Sequence, residues 1–394
     1  MRILWWSNAP WVATGYGQQT ALFARRIKER LGHEVGLFAF YGLRGSAMQW
    51  NDLQCYPGAH DRWGNDVANA HAKHFQADVI VSLGDLSMIK PQAIVDVPWC
   101  PWFPVDCEPM RPSETGVLRR ALQPLVFSRH AERQVLAAGF LPRYVPHGVD
   151  CTVFQPRDKA AAREAIGLPQ DRYIVGMVAA NKGNPSRKAF AEHIQAFARF
   201  HKRHPESLLY LHTHRTPEME GLSLDSVCQL AGLEVGQDKA VVFVPQYQNA
   251  AGLVDPLAMA NVYSSLDVLA SVSYGEGFGV PILEAQACGV PVIVGDWTAM
   301  PEICFAGQMV SKDDAERVWS KFNTWQWAPH ISAIEAALEA AYQRGVTDSD
   351  RVLMAEGAAR FDADLVTDEY WRPALAEIES WVCADAGKLQ MVSF

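Results

Sequence analysis

The chain has 394 residues, 49% of them hydrophobic and 20% charged, with ordinary Gly and Pro content and a formal net charge of −9, which suits two domains that each bury a core of their own. No segment approaches the roughly eighteen apolar residues of a membrane-spanning helix, and Met1-Arg-Ile-Leu-Trp-Trp-Ser opens as a strand rather than as a signal peptide, so a cytoplasmic protein without a membrane span is expected. The charge is uneven, because residues 1–150 carry fifteen Lys and Arg against thirteen Asp and Glu, a net +2 that leaves −11 on the remainder, and the acidic total therefore does not exclude a polyanionic partner on the first half.

Apolar runs alternate with helical patterns in both halves, as two doubly wound α/β domains require. Residues 3–7 read as the first strand, 20–31 as a helix closed by Gly32, 35–40 as the second strand and 78–83 as a later one. The sheet continues through 97–105 and 125–128. Between the first strand and its helix lies Asn8-Ala-Pro-Trp-Val-Ala-Thr14-Gly15-Tyr16-Gly17-Gln18, a loop at the carboxyl end of a strand, where open α/β sheets bind ligands. Residues 154–168, with Pro156 and a charged helix, followed by Pro169, connect to a second unit that opens at Tyr173. Its later strand Leu208-Leu-Tyr-Leu-His212-Thr-His214 puts two imidazoles on one face, without a third metal ligand. Asp348-Ser-Asp350 and Asp362-Ala-Asp364 lie among C-terminal helices and read as solvated turns and caps, so no essential metal is expected. The tail 366–381 has the pattern of an amphipathic helix. Cysteines at 55, 100, 107, 151, 228, 288, 304 and 383 form no CxxC pair and no zinc-ligand spacing with histidine, and read as reduced thiols. Trp5, Trp6, Trp11, Trp99 and Trp102 cluster near strand ends, where they either stack on a sugar or base or fill the core, the core being expected for most.

The most informative segment runs from 266 to 294. An apolar run at 266–272 ends in a glycine-rich turn, 282–288 is apolar at helical spacing, and 290–294 is a further buried strand, giving strand, loop, helix, strand. Gly275, Gly277 and Gly279 let the backbone approach a ligand closely, and the amides opening the helix offer donors and a positive dipole end that suit a diphosphate. Glu276 stands in the loop and Glu284 in the helix with seven residues between them, so one carboxylate is available to a sugar and the other to ribose hydroxyls.

Glu276-Gly277-Phe278-Gly279-x-Pro-x-x-Glu284-Ala, followed by Ala287-Cys-Gly-Val-Pro-Val, resembles the signature of the retaining GT-B glycosyltransferases of family 4. The resemblance implies two Rossmann-like doubly wound domains facing across a cleft: an acceptor-side domain at 1–155, a nucleotide-sugar domain at 156–365, and a helix at 366–394 crossing back to the first domain. In that family the two glutamates and the intervening amides hold the donor. The loop with Gly15, Tyr16 and Gly17 is implied to lie beside donor phosphates and acceptor, although Tyr16 stands where many members have a small residue. Lys188 matches the register of a family lysine and Lys182 the place of a family arginine, which leaves Lys182, Arg187 and Lys188 as competing partners of the diphosphate. Asp106 follows Pro98-Trp-Cys-Pro-Trp-Phe-Pro-Val105, where many members carry a histidine near the reacting sugar. It is the catalytic candidate beside Glu276, with a capping or turn aspartate as the alternative. Val145-Pro-His147-Gly-Val-Asp150 resembles the segment between the domains, with His147 in place of asparagine. It either touches a substrate or acts as a hinge. Phe243-Val-Pro-Gln-Tyr247 is expected to border the base.

The implied activity is metal-independent, retaining transfer of a sugar from a nucleotide-diphosphate donor, a UDP-sugar before others, to a hydroxyl acceptor, with no other cofactor. A GT-B sugar-nucleotide epimerase or hydrolase and a non-catalytic nucleotide- or carbohydrate-binding module are the alternatives. The opening Trp5-Trp-Ser-Asn-Ala-Pro-Trp also resembles phage-encoded relatives, which adds modified DNA bases and proteins to glycans and small molecules as acceptors.

Overall fold

The computed structural model describes residues 1–94, 96–217 and 220–391, with side chains through 384. The chain divides into two compact units. One comprises Met1–Gly148, Phe322–Thr324 and the segment from Phe361 on; the other comprises Val149–Lys321 and Trp325–Arg360. The division falls at 148/149 and 360/361, several residues before the expected boundaries at 155 and 365.

The first unit is built on an eight-stranded sheet of β1 (Arg2–Asn8), β2 (Glu34–Arg44), β3 (Met48–Trp50), β4 (Leu53–Gly58), β5 (Val79–Leu83), β6 (Trp99–Phe103), β7 (Leu125–Val126) and β8 (Arg143–Tyr144), in the order β3-β4-β2-β1-β5-β6-β7-β8. All pairs are parallel except β3 with β4. β1 is buried from Ile3 to Ser7 because both faces of a parallel sheet are covered. The tryptophans fill this core. Trp5, Trp6, Trp99 and Trp102 are buried, and each indole N–H is satisfied: by Thr20 Oγ1, the Trp63 carbonyl, Ser82 Oγ and the Val145 carbonyl respectively. Trp11 is 39% exposed and donates to the Gly42 carbonyl. The C-terminal segment belongs to this unit: Trp371 packs on Trp102 (centroids 4.9 Å), Trp5 (5.5 Å) and Phe23 (5.9 Å).

The second unit has a fully parallel sheet of β9 (Tyr173–Val178), β10 (Ser207–His212), β11 (Val241–Phe243), β12 (Val268–Ser271), β13 (Val292–Gly295) and β14 (Gly307–Val310), in the order β11-β10-β9-β12-β13-β14. A separate antiparallel hairpin joins β15 (Ala315–Trp319) to β16 (Trp325–Pro329). In both large sheets the strand order reverses beside the first strand, at β1/β5 and at β9/β12. The loops leaving the carboxyl ends there are the natural ligand positions of a doubly wound sheet.

Several boundaries differ from expectation. The first helix spans Gly15–Leu31, five residues longer at its start, because Thr14 caps it by accepting from the Gly17 amide at 3.1 Å. Ser128 is not in β7 but caps the helix Arg129–Ala137. The helix expected at 282–288 is Val280–Ala287, and the tail is helical from Ala363 to Met391, with a wider turn at Thr367–Trp371. Both Asp-x-Asp triplets sit at helix starts. Asp350 completes a capping box with Thr347, is buried rather than solvated, and pairs with Arg344 at 2.6 Å. Asp362 caps the next helix, while Asp364 pairs with Arg26 and Arg30.

Candidate active site

In the second unit, β9 and β12 lie side by side, and each ends in a loop that carries part of one charged cluster. The loop after β9 brings Arg187 and Lys188 to the start of the helix Phe190–Arg203. The loop after β12 brings Ser273, Glu276 and the glycines to the start of Val280–Ala287. Glu276 is 6% exposed. Lys188 Nζ donates to its Oε1 at 2.5 Å, Arg187 Nη1 to its Oε2 at 3.3 Å, and Ser273 Oγ also donates to Oε1. Its amide donates to Thr298 Oγ1 at 3.0 Å. Burial opposes the charge of this carboxylate, yet Lys188 and Arg187, with hydrogen bonds from Lys188 and Ser273, hold its pKa down to about 2. The loop backbone is tied as well, by Trp297 Nε1 to the Ser273 carbonyl (2.9 Å) and by the Tyr274 amide to the Arg187 carbonyl (2.8 Å).

Gly277 and Phe278 are buried beneath the helix start. Gly279 takes φ +106°, a conformation that favours glycine, and a Cβ there would also push on Ile282 Cδ1 at 2.8 Å. The helix opens with Pro281 in its first turn and presents its amino end on the same loop as Glu276. Glu284 is one helical step inside, 5% exposed, and accepts from the Tyr263 hydroxyl at 2.7 Å. Among the described residues no cation offsets its charge, and burial pushes its pKa up to about 7, only partly offset by Tyr263. Sequence reading missed Tyr263, which sits on the helix Pro256–Ser265 twenty-one residues away, a pairing without a local signal. Among the three competing cations, Arg187 and Lys188 meet Glu276, whereas Lys182 is exposed on the turn after β9. His212 ends β10 beside Tyr210, and His214 lies beyond the strand, where its carbonyl accepts from Asn181. Among the described residues no group of three His, Cys, Asp or Glu is placed to hold a metal ion.

In the first unit, Gly15, Tyr16 and Gly17 are the first helical residues rather than a loop. A Cβ on Gly17 would meet the Val12 carbonyl at 2.4 Å, whereas one on Gly15 would meet nothing within 4 Å. Tyr16 OH donates to Asp85, just past β5, at 3.4 Å. Asp106, just past β6, is 7% exposed and accepts from Arg111 Nη2 at 2.8 Å. The same guanidinium donates to Glu114 at 3.3 Å and lies 4.2 Å from the centre of the Phe322 ring. Burial raises the Glu114 pKa to about 8; Arg111 pulls it down, and Asp85 and Asp106 push it further up. Arg111, Glu114 and Asp85 were not anticipated.

His147 does not line an open surface. It is buried, stacked on Phe127 at 3.9 Å and edge-on to Trp102 at 4.5 Å, and burial lowers its pKa well below the usual value. Its burial among these rings keeps it neutral. Asp150 closes a turn by accepting from the Thr152 amide (3.0 Å) and hydroxyl (2.6 Å).

Comparison with known proteins places this architecture. Residues 173–324 match the family model described as Glycosyl transferases group 1. The chain is 34% identical over 285 residues to the D-inositol 3-phosphate glycosyltransferase of Rhodococcus jostii, a match covering 71% of this chain and 56% of that protein. It is 30% identical over 244 residues to the protein of the same name from Saccharomonospora viridis, covering 59% of this chain and 50% of that protein. The chain thus spans about half the length of the curated relatives it matches. Among solved structures, sucrose-phosphate synthase from Thermosynechococcus elongatus superposes with a TM-score of 0.70 at 17% identity, covering 96% of this chain and 100% of that one. Anabaena HepE, in complex with UDP and glucose, gives 0.63 at 16% identity, covering 96% and 99%. The chain has the GT-B fold, and its residues 173–324 match the glycosyl transferases group 1 family.

Proposed function

We propose that the protein is a retaining glycosyltransferase that moves a sugar from a nucleotide-diphosphate donor, a UDP-sugar, to a hydroxyl acceptor without an essential metal ion. The observation that carries this reading is the buried Glu276 between Lys188 and Arg187 at the start of the helix Val280–Ala287. Two cations and a helix amino end together suit the diphosphate of a donor, and the adjoining carboxylates suit its hydroxyls. Glu276 accepts from the sugar and Glu284 from the ribose. Relatives named glycosyltransferases and a structural neighbour solved with UDP and glucose support the donor class.

In the proposed reaction the bond from the anomeric carbon to the diphosphate oxygen breaks while the acceptor oxygen bonds to that carbon on the same face. The departing phosphate takes the acceptor proton. Lys188, Arg187 and the helix amides stabilise the negative charge that grows on the leaving group, and Asp106 orients the acceptor hydroxyl.

The test is thermal stabilisation by UDP, GDP, ADP, TDP and CMP and their sugars, followed by transfer of the labelled sugar from the stabilising donor in the presence of EDTA. A selective rise in melting temperature with UDP and EDTA-resistant transfer are expected. Absence of any shift across the panel would overturn the donor reading, and release of free sugar alone at full rate would replace transfer with hydrolysis.

A further inference from the structure

The basic loop and the carboxylate loop come from different strands, so something must hold them in register. His193, in the first turn of the helix Phe190–Arg203, is buried between them. Its Nδ1 lies 2.8 Å from the Ala189 carbonyl, and its Nε2 lies 3.2 Å from the Val272 amide. A carbonyl only accepts and an amide only donates, so the ring is the neutral Nδ1–H tautomer with Nε2 as acceptor. Burial, opposed only by the Ala189 carbonyl, lowers the pKa to about 4 and keeps it neutral.

The placement of these two bonds matters. Ala189 directly follows Lys188 and adopts the left-handed conformation (φ 54°, ψ 37°), which disfavours a residue with a side chain. Its carbonyl receives both the His193 amide (2.9 Å) and the ring. Val272 directly precedes Ser273, which donates to Glu276. Beside His193, Glu192 accepts from the Tyr274 hydroxyl at 2.6 Å. One turn of helix therefore grips both loops near the Lys188–Glu276 pair: Ala189 adjoins Lys188, Tyr274 lies two residues before Glu276 and Val272 four.

We infer that His193 is a positioning residue for the donor diphosphate, a neutral two-ended clamp that sets where Lys188 and Arg187 stand relative to the loop of Glu276. The inference rests on the donor reading above and deepens it.

Calorimetric titration of UDP and of uridine into the wild type, His193→Asn and His193→Gln tests it, with melting temperatures recorded for each. Asparagine keeps a donor near the Ala189 carbonyl but is too short to reach the Val272 amide. Glutamine extends an acceptor toward that amide. His193→Asn should weaken UDP about tenfold, the size carried by an unanswered buried N–H, with uridine changed less than about twofold. His193→Gln should recover most of the UDP affinity. In turnover assays the asparagine variant should raise the donor KM more than it lowers kcat. Unchanged UDP affinity in His193→Asn, or UDP and uridine weakening in parallel, would overturn the clamp while leaving the donor site standing. A wild type that ignores UDP would sink the donor reading and the clamp together.

Discussion

The two charged clusters at the ends of the sheets are built on opposite balances. In the first unit Asp85, Asp106 and Glu114 gather around one arginine, Arg111; in the second, two cations converge on one carboxylate, Glu276. Glu276, Asp106, Arg111 and Glu114 are buried while Arg187, Lys188 and Asp85 are half-buried, and the partners beside each buried carboxylate either offset the cost of burial or add to it. Burial first, and then Asp85 and Asp106, leave Glu114 at about 8 and protonated near neutrality despite Arg111, while Lys188 and Arg187 overcome burial and hold Glu276 ionised down to about 2. An incoming diphosphate is therefore suited to the second cluster and opposed by the first. Bulk charge points the other way, since the first 150 residues are net positive and the remainder carries −11. On the proposed reading, local pairing outweighs net charge in locating the diphosphate.

Substitutions that reverse either balance test this contrast. The largest effect is expected from Lys188→Ala, which removes a cation from the diphosphate and leaves Glu276 short of a partner; kcat/KM should fall about 10²–10³-fold and UDP should bind more weakly. Glu276→Gln should lower kcat by a comparable factor through loss of the sugar acceptor. It also removes the anion that occupies Lys188 and Arg187, so its UDP affinity should hold or rise. A calorimetric UDP titration in which both variants weaken equally would break the comparison.

Asp106→Asn keeps the shape of the first cluster and removes one negative charge. Its expected signature is a kcat loss of about tenfold to a hundredfold with UDP affinity unchanged. A changed melting temperature at full kcat would instead make Asp106 only an anchor for Arg111.

Glu284 offers a pH test within the second unit. Its folded carboxyl lies near 7 against an ordinary 4.5, so the protonated form favours folding. That contribution to stability is complete below about 4.5 and is lost as pH rises through about 7. Donor binding runs opposite, because ribose hydroxyls need an ionised acceptor: UDP affinity should decline as pH falls below about 7. As pH is lowered from about 8 to about 5, melting temperature and UDP Kd should therefore rise together, stability gaining while affinity is lost, and Glu284→Gln should flatten both. The smallest effect is expected at Ala189, where glycine relieves a left-handed residue at the cost of unfolded-chain freedom. Ala189→Gly should raise stability by about 0.5 kcal/mol, read from denaturant unfolding.

The sequence alone determined the alternation of strands and helices, the two-domain plan and the segment around Glu276 and Glu284, because these depend on local periodicity, on glycines at fixed offsets and on a motif within one stretch of chain. It also singled out Arg187 and Lys188, but left Lys182 beside them as an equal, since spacing along a loop does not say which side chain turns toward a carboxylate on another strand. His147 read as either a substrate contact or a hinge by its neighbours in sequence, and its burial was not legible there because Phe127 and Trp102, which pack against it, come from distant elements. Tyr263 and His193 gain their meaning only from partners on other elements, whereas Arg111 meets Asp106 five residues before it and Glu114 three after it, within one stretch of chain. Charge state belongs to the tertiary structure in the same way. Glu276 and Glu284 are eight positions apart in one motif, yet one is held near 2 and the other near 7, because folding buries both but sets two cations beside the first and a phenol beside the second.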